Sequence, residues 1–317
     1  MQQLRELLEN WQVSVYFGTV LLATIIAMCV PRTTVLEAGV NPALAFMLFV
    51  TFLQVPLLDL GRAFTKIRFF AALFVTNFII VPLLVAVLVQ FLPPDPIVLL
   101  GVLLVLFTPC IDYVVTFSHL GRANAHLILA ATPTLLLVQM ILLPVYLGMF
   151  LGKDATGLVQ LSPFVHAFIW LIIVPFILAA VVQFGSTRSG MGKWLFTILG
   201  FLPVPATALV LFIVIAAVVP QLGAATDAVF KVLPIYIAFA TLAPFLGWLV
   251  GRLFRLEVAS SRAIAFSAST RNSLVVLPLA LAVPGAIPVL PAIIITQTLV
   301  ELLSELIYIR LIPKLIR

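Results

Sequence analysis

The sequence predicts an all-α integral membrane protein with about ten transmembrane helices in two inverted five-helix repeats. Three observations support this fold class: the composition, the length of the apolar runs, and motifs that recur at a constant spacing. Of the 317 residues, 64% are hydrophobic and only 9% are charged, whereas soluble domains carry roughly a quarter charged residues. The composition therefore excludes a soluble globular domain.

Ten apolar runs follow one another along the chain, each close to the ~20 residues that a helix needs to cross a bilayer. Short loops separate them, so we predict a single transmembrane domain over residues 1–317. The first run is preceded by no basic segment and followed by no small-residue cleavage site, so we expect it to be retained. The predicted spans are approximately 12–30, 42–60, 68–92, 97–118, 125–151, 163–184, 194–219, 228–253, 259–282 and 289–311.

The lysines and arginines predict the orientation of these spans. With the N-terminus inside, thirteen of the seventeen basic residues fall on inner segments and three on outer loops, namely Arg32, Lys153 and Lys231. Cytoplasmic loops are the ones that carry such an excess. We therefore predict a multi-pass protein of the cell membrane with both termini cytoplasmic. Because this asymmetry explains the net charge of +6, lipid is the expected partner and nucleic acid is not.

Recurring motifs predict the repeat. "VPLLVAVLVQFL" in the third span resembles "APFLGWLVGRLF" in the eighth, and their prolines, Pro82 and Pro244, are 162 positions apart. "PTLLLVQ" at 133–139 similarly resembles "PAIIITQ" at 291–297. Because each half holds an odd number of spans, the second half enters the membrane the other way up. The halves are predicted at approximately 12–151 and 163–311.

The same offset of 162 pairs two unusual stretches, "FTPCIDYVVTFSH" from 107 and "FSASTRNSLVV" from 266. It places Pro109 on Arg271. A proline lacks the amide hydrogen and clashes with the preceding turn, so span four should break there. The serines, threonine, arginine and asparagine of the second stretch predict a break in span nine. Helices four and nine are thus expected to cross near mid-membrane, which is the build of many secondary transporters.

Ionisable residues in the spans point to the same place. A lone charge at the bilayer centre costs ~2.5–3.5 kcal/mol even on lenient scales. We therefore predict that Asp112 and Arg271 meet at the crossing, either as part of a transport path or as a purely structural ion pair. The candidate substrate-path residues are Pro109, Cys110, Asp112, Ser267, Thr270, Arg271, Asn272 and Ser273, and possible path-lining residues are Gln54, Asn77, Gln139, Gln297, Glu301 and Glu305.

The two cysteines, Cys29 and Cys110, lie far apart in apolar runs, so we expect no disulfide. We also expect no cofactor and no metal site. The sequence has neither an H-E-x-x-H nor a G-x-S-x-G motif, and its three histidines are scattered. An intramembrane enzyme is therefore the least favoured class, and a sensor would be expected to carry a soluble signalling domain.

At these motifs the sequence resembles the bile acid/sodium symporter superfamily. "TPC" in span four is similar to the Ala-Pro-Cys of its arsenite-efflux permease branch, where that cysteine is linked to metalloid transport. "RNS" in span nine is similar to the Gln-Asn-Ser of the sodium-coupled symporters. The resemblance implies a secondary transporter, and its nearest motifs imply arsenite efflux with protons as the coupling ion.

The departures from that pattern open an alternative. Related symporters bind sodium through an acidic residue and a Gln whose positions are Ser267 and Arg271 here. A fixed guanidinium argues against sodium at that place, because like charges repel. Arsenite permeases carry a Glu where Leu274 stands, and the repeat offset pairs Leu274 with Asp112. One transport hypothesis is arsenite efflux with Cys110 as a soft ligand and Asp112 as the proton carrier. The other is transport of a small organic or inorganic anion bound at Arg271.

Overall fold

The computed structural model describes residues 2–54, 66–111, 113–152, 165–166, 169–281, 283 and 288–317. Fourteen α-helices make up most of these residues, with short 3₁₀ and π turns between some of them. They are α1 Gln2–Cys29, α2 Val40–Gln54, α3 Ile67–Val75, α4 Val81–Leu88, α5 Pro96–Leu106, α6 Val114–Leu120, α7 Ala125–Leu151, α8 Val174–Arg188, α9 Gly190–Leu199, α10 Pro203–Val218, α11 Thr226–Leu253, α12 Val258–Ser269, α13 Ser273–Leu281 and α14 Val289–Leu315.

The helices confirm an all-α integral membrane protein. Among the described residues, seven helical stretches are long and apolar enough to cross a membrane. The bent pair α9 and α10, at 45° to each other, makes an eighth if it is one span. The runs predicted as spans four and nine are each divided into two shorter helices, α5 with α6 and α12 with α13. The ten-span count and the repeat over the whole chain stay predictions.

The chain forms two compact units, each built from both predicted halves. The first unit is Met1–Leu57 with Leu161–Ala224. Within it, α1 packs on α10, and α2 packs on α8 and α10. The Gln183 side chain of α8 donates to the carbonyls of Phe52 and Leu53 at 3.2 and 3.1 Å, which supplies donors to the last turn of α2.

The second unit is Leu58–Gln160 with Ala225–Arg317, and it contains α3 to α7 and α11 to α14. Helix α14 packs against α5, α11 and α13, and α11 packs along α12. Asp95 caps α5 by accepting from the amides of Ile97 and Val98 at 2.9 and 3.2 Å. Pro96 follows at the first helical position, where a missing amide hydrogen costs nothing. The second unit therefore holds both divided spans.

Two prolines of the second unit leave equivalent carbonyls without their helical donors. Pro82 cannot donate to Phe78 O, and the hydroxyl of Tyr146 donates there instead at 2.7 Å. Pro244 cannot donate to Ala240 O, and the hydroxyl of Tyr308 donates there.

The two sets of contacts are related by one sequence offset. Each proline, each carbonyl and each tyrosine of the second set follows its counterpart at the same offset of 162. The carbonyl lies four residues before its proline in each set, so the offset predicted from the prolines is kept independently by the tyrosines within this unit. The P-x₅-Q match between α7 and α14 has an offset of 158, one helical turn away from the register in which the tyrosines bond.

Candidate transport site

The first break lies between α5 and α6 and confirms the interruption predicted at Pro109. Helix α5 ends at Leu106, and α6 begins at Val114. The hydroxyl of Thr108 lies 3.0 Å from Leu104 O and 2.9 Å from Val105 O. Because Pro109 has no amide hydrogen for Val105 O, this hydroxyl helps to close the end of α5.

The second break, between α12 and α13, crosses the first. Thr270 has an extended backbone, and Pro109 and Arg271 form an isolated antiparallel bridge. The amide of Cys110 donates to Thr270 O at 3.0 Å, and the amide of Asn272 donates to Thr108 O at 2.7 Å. These two bonds flank Pro109 and Arg271, the pair that the offset of 162 predicts, so the crossing of the two divided spans is confirmed.

Arg271 is fully buried at the crossing. Its Nη2 donates to Ser267 O at 2.5 Å, to Ala268 O at 2.8 Å and to Asn77 Oδ1 at 2.9 Å. Its Nη1 reaches Leu106 O at 3.4 Å. The guanidinium therefore lies at the C-terminal ends of α12 and α5, where helix dipoles are negative and backbone carbonyls lack helical donors.

Two further groups fix the guanidinium. Asn77 lies in a π-helical turn, Thr76–Ile80, a form of backbone that often occurs at functional sites. Its amide also donates to Ser267 Oγ at 2.9 Å, so it links α12 to the arginine. The ring of Phe239 on α11 lies 5.6 Å from Arg271 Cζ, within cation–π range.

Glu301 on α14 accepts hydrogen bonds at both carboxyl oxygens. Oε1 accepts from the hydroxyl of Tyr113 at 2.6 Å. Oε2 accepts from the amide of Arg271 at 2.7 Å and from Nε2 of Gln297 at 2.5 Å. Glu301 thus satisfies a backbone amide that the break in span nine leaves without a helical acceptor, and it joins α14 to the crossing.

Glu305 lies one turn further along α14 and is completely buried. Its Oε1 is 2.6 Å from Thr270 Oγ1, and its Oε2 has no hydrogen-bond partner among the described residues. Buried polar atoms are usually satisfied. An unsatisfied carboxyl oxygen next to the crossing is therefore a candidate for function.

Two buried amide side chains also lack hydrogen-bond partners among the described residues. They belong to Asn272, at the start of α13, and Gln139 on α7. In the register set by the tyrosines, Gln139 corresponds to Glu301 and Pro109 to Arg271. Glu301 accepts from the Arg271 amide, whereas Pro109 has no amide hydrogen to donate, so Gln139 has no equivalent bond. The amide of Asn272 offers two donors and one acceptor to a ligand.

The structure brings most of the predicted site residues together. Ser273 Oγ accepts from the Thr298 hydroxyl at 2.9 Å, and Cys110 is buried in the extended segment of the first break. Gln54 ends α2 and belongs to the first unit. Asp112 lies outside the described residues, so its predicted pairing with Arg271 stays a prediction. Within the described part of the chain, no group of three or more His, Cys, Asp or Glu side chains could hold a metal ion.

Comparison with known proteins places this architecture in a family. The profile of the sodium bile acid symporter family matches residues 41–227, which is more than half of the chain. The protein belongs to the sodium bile acid symporter family. It is therefore a multi-pass membrane protein of a transporter family, and the resemblance read from its motifs is confirmed at the level of the superfamily. No curated protein matches the sequence.

The match to the sodium bile acid symporter family includes the first break and ends at residue 227, before Arg271. The second break therefore lies outside the matched residues, and its description rests on the contacts within this chain. Sequence reasoning missed Tyr113, Thr108 and Phe239 as parts of this site. Thr108 could have been found, because the offset of 162 places it on Thr270. A phenylalanine among twenty-five gives no such signal.

Proposed function

We propose that this member of the sodium bile acid symporter family exports arsenite or a related metalloid from the cell in exchange for protons. The observation that carries the proposal is the position of Cys110. It lies in the extended segment of the first break, and its amide donates to Thr270 of the second at 3.0 Å. A thiol held at a crossing of broken helices is a soft ligand placed where solutes pass in secondary transporters.

The contacts of Arg271 support transport that does not depend on sodium. Its guanidinium contacts three backbone carbonyls and Asn77 Oδ1, the kind of oxygen cluster that holds a hard cation. A positive charge fixed there excludes a second one by repulsion. The driving ion is then a proton, and among the carboxyl groups of the second unit we take Asp112, Glu301 and Glu305 as the candidates to carry it.

The proposed orientation of the protein in the membrane rests on the distribution of lysine and arginine. The thirteen-to-three excess on one side favours both termini in the cytoplasm of a cell bounded by this membrane. Export would then move the metalloid from the side that bears both termini to the other side.

A second candidate is transport of a small organic or inorganic anion. It is favoured by Nε of Arg271 and the side-chain amide of Asn272, which have no hydrogen-bond partner among the described residues and which together could donate to an anion at the start of α13. It is weakened by the other contacts of Arg271, since both terminal nitrogens of the guanidinium already donate within the protein.

Uptake into everted membrane vesicles separates these candidates. The solutes are arsenite, antimonite and a panel of small organic anions, each with and without a proton gradient. We expect gradient-driven arsenite uptake that Cys110→Ser abolishes at unchanged protein level. Cys29→Ser is the matched control, because Cys29 is exposed at the end of α1 in the other unit. Normal arsenite uptake by Cys110→Ser would overturn the thiol role, and uptake of an anion alone would favour the second candidate.

A further inference from the structure

Thr270 and Glu305 form an unusual contact. The Thr270 hydroxyl lies 2.7 Å from Phe266 O and 2.6 Å from Glu305 Oε1. A threonine hydroxyl has one hydrogen, so it forms one full hydrogen bond or shares that hydrogen between two acceptors. Both distances are those of good hydrogen bonds, and they are shorter than the 3.0 and 2.9 Å at which the Thr108 hydroxyl lies from its two carbonyls. Two full hydrogen bonds form together when the carboxyl group of Glu305 supplies the second hydrogen.

The neighbouring carboxyl group does not share this property. Glu301 receives donors at both oxygens, from Tyr113, the Arg271 amide and Gln297. An ionised carboxylate is acceptor-only, so the surroundings of Glu301 suit the ionised form. Glu305 has one hydrogen-bond partner at Oε1 and none at Oε2 among the described residues. The two carboxyl groups, four residues apart on one face of α14, are thus set in opposite hydrogen-bonding environments.

A further polar atom is directed to this cluster. Gln297 is buried, and its Nε2 is bonded to Glu301. Its Oε1 has no partner within the described part of the chain. Among the described residues, Glu301 and Tyr308 of α14 are the ionisable side chains that interact with Glu305. Glu301 in turn contacts the hydroxyl of Tyr113 and the amide of Arg271.

We propose that Glu305 is the residue that binds and releases the transported proton, and that the Thr270 hydroxyl transmits its state to the crossing. With the proton on Glu305, the carboxyl O–H donates to Thr270 Oγ1, and Thr270 donates to Phe266 O at the end of α12. When the proton leaves, the Thr270 hydroxyl turns to donate to the carboxylate and gives up Phe266 O. One proton leaves as the carboxyl O–H bond breaks, and no other covalent bond is made or broken.

The release of Phe266 O acts on the crossing itself. Thr270 is the residue whose carbonyl accepts from the Cys110 amide. A change in the hydrogen bonds of the Thr270 side chain therefore occurs next to the Cys110 thiol, which the proposed function assigns to the substrate. This inference rests on the proposed function for the link to metalloid, but the proton site stands on its own contacts.

The first test is transport by purified protein in proteoliposomes with radiolabelled arsenite as the probe. Glutamine keeps the shape of the side chain but cannot exchange a proton. We expect Glu305→Gln to retain arsenite–arsenite exchange at equal pH and to lose accumulation driven by a pH gradient. Ser304→Ala is the matched control on α14, since the Ser304 hydroxyl donates to Val300 O of the same helix. Gradient-driven accumulation at the wild-type level in Glu305→Gln would overturn the proposal.

The second test does not need arsenite. Infrared spectroscopy detects the carbonyl stretch of a protonated carboxyl group, and subtraction of the Glu305→Gln spectrum assigns it. We expect a band in the wild-type protein that Glu305→Gln removes and Thr270→Val shifts to higher frequency, because the donor O–H loses its acceptor. If the wild-type protein moves no arsenite, the proposed function fails and this band alone decides the proton site. Absence of the band, or its persistence in Glu305→Gln, would refute the assignment.

Discussion

Replacing Arg271 with alanine removes the group that closes the ends of two half-helices. In an uninterrupted helix, Ser267 O and Ala268 O would accept from the amides of Arg271 and Asn272. Those amides donate instead to Glu301 and to Thr108 O, and the guanidinium supplies the missing donors at 2.5 and 2.8 Å. The arginine is thus a side-chain cap for α12.

The cost of the substitution follows from the carbonyls it exposes. Each buried acceptor left without a donor costs roughly 1–3 kcal/mol, so the two carbonyls of α12 alone account for about 2–6 kcal/mol. Loss of a positive charge at two helix C-termini adds to this. Arg271→Lys should cost less, because lysine keeps the charge but lacks the planar fork that reaches several oxygens at once.

The measurement is thermal unfolding of the purified protein in detergent, with denaturant titration of the same samples. Arg262→Ala is the matched control. Arg262 also donates to backbone carbonyls, those of Pro313 and Ile316 at 2.8–3.2 Å, but it is only half-buried, so water can replace it. We expect Arg271→Ala to lower the midpoint well below that of Arg262→Ala. Equal midpoints for the two variants would refute the view that the guanidinium caps α12.

Three further outcomes are expected. The rate of arsenite transport should be the same in choline and sodium buffers of equal ionic strength, because the guanidinium of Arg271 occupies the cluster of oxygens that would otherwise bind a cation. A sodium requirement would contradict this. Tyr146→Phe and Tyr308→Phe should each lower the free energy of unfolding by roughly 1–3 kcal/mol, and unequal effects would mean that the two proline sites are not equivalent. Gly247→Ala should destabilise by about 1–3 kcal/mol through overpacking, because an added Cβ would lie 2.8 Å from Ala268 Cβ and from Ile264 O. Gly148→Ala, with open space around it, is the control in the same unfolding assay, and equal losses would contradict the close packing of α11 on α12.

The division of spans four and nine could be predicted because its causes are local. Pro109 removes a backbone donor wherever it stands in a helix, and polar residues clustered in an apolar run mark a break. The crossing itself followed from the constant offset between the two halves, which is a property of the sequence. The seven long apolar helices were predictable for the same reason, since hydrophobic length is read directly from the chain.

The partners of the charged side chains could not be predicted in the same way. Arg271 was expected to need a carboxylate, because a buried charge is costly. The described contacts of its guanidinium are neutral oxygens, namely three backbone carbonyls at helix ends and Asn77 Oδ1. Because every residue has a backbone carbonyl, no residue type indicates those three contacts. The roles of Glu301 and Glu305 depend on which rotamer reaches Arg271 N or Thr270 Oγ1, and spacing alone places both residues on one face of α14.

The two hydrogen bonds of the crossing also constrain how the chain is made. Thr108 and Cys110 are synthesised long before Thr270 and Asn272, which follow them at the offset of 162. At about 5–20 residues per second, a ribosome needs roughly 8–30 s to reach the second segment. Throughout that interval Thr108 O and Cys110 N lack these partners, in a stretch destined for a medium where unpaired backbone groups cost several kcal/mol. We therefore expect the first divided span to reach its final hydrogen bonding only after Thr270 and Asn272 have been synthesised.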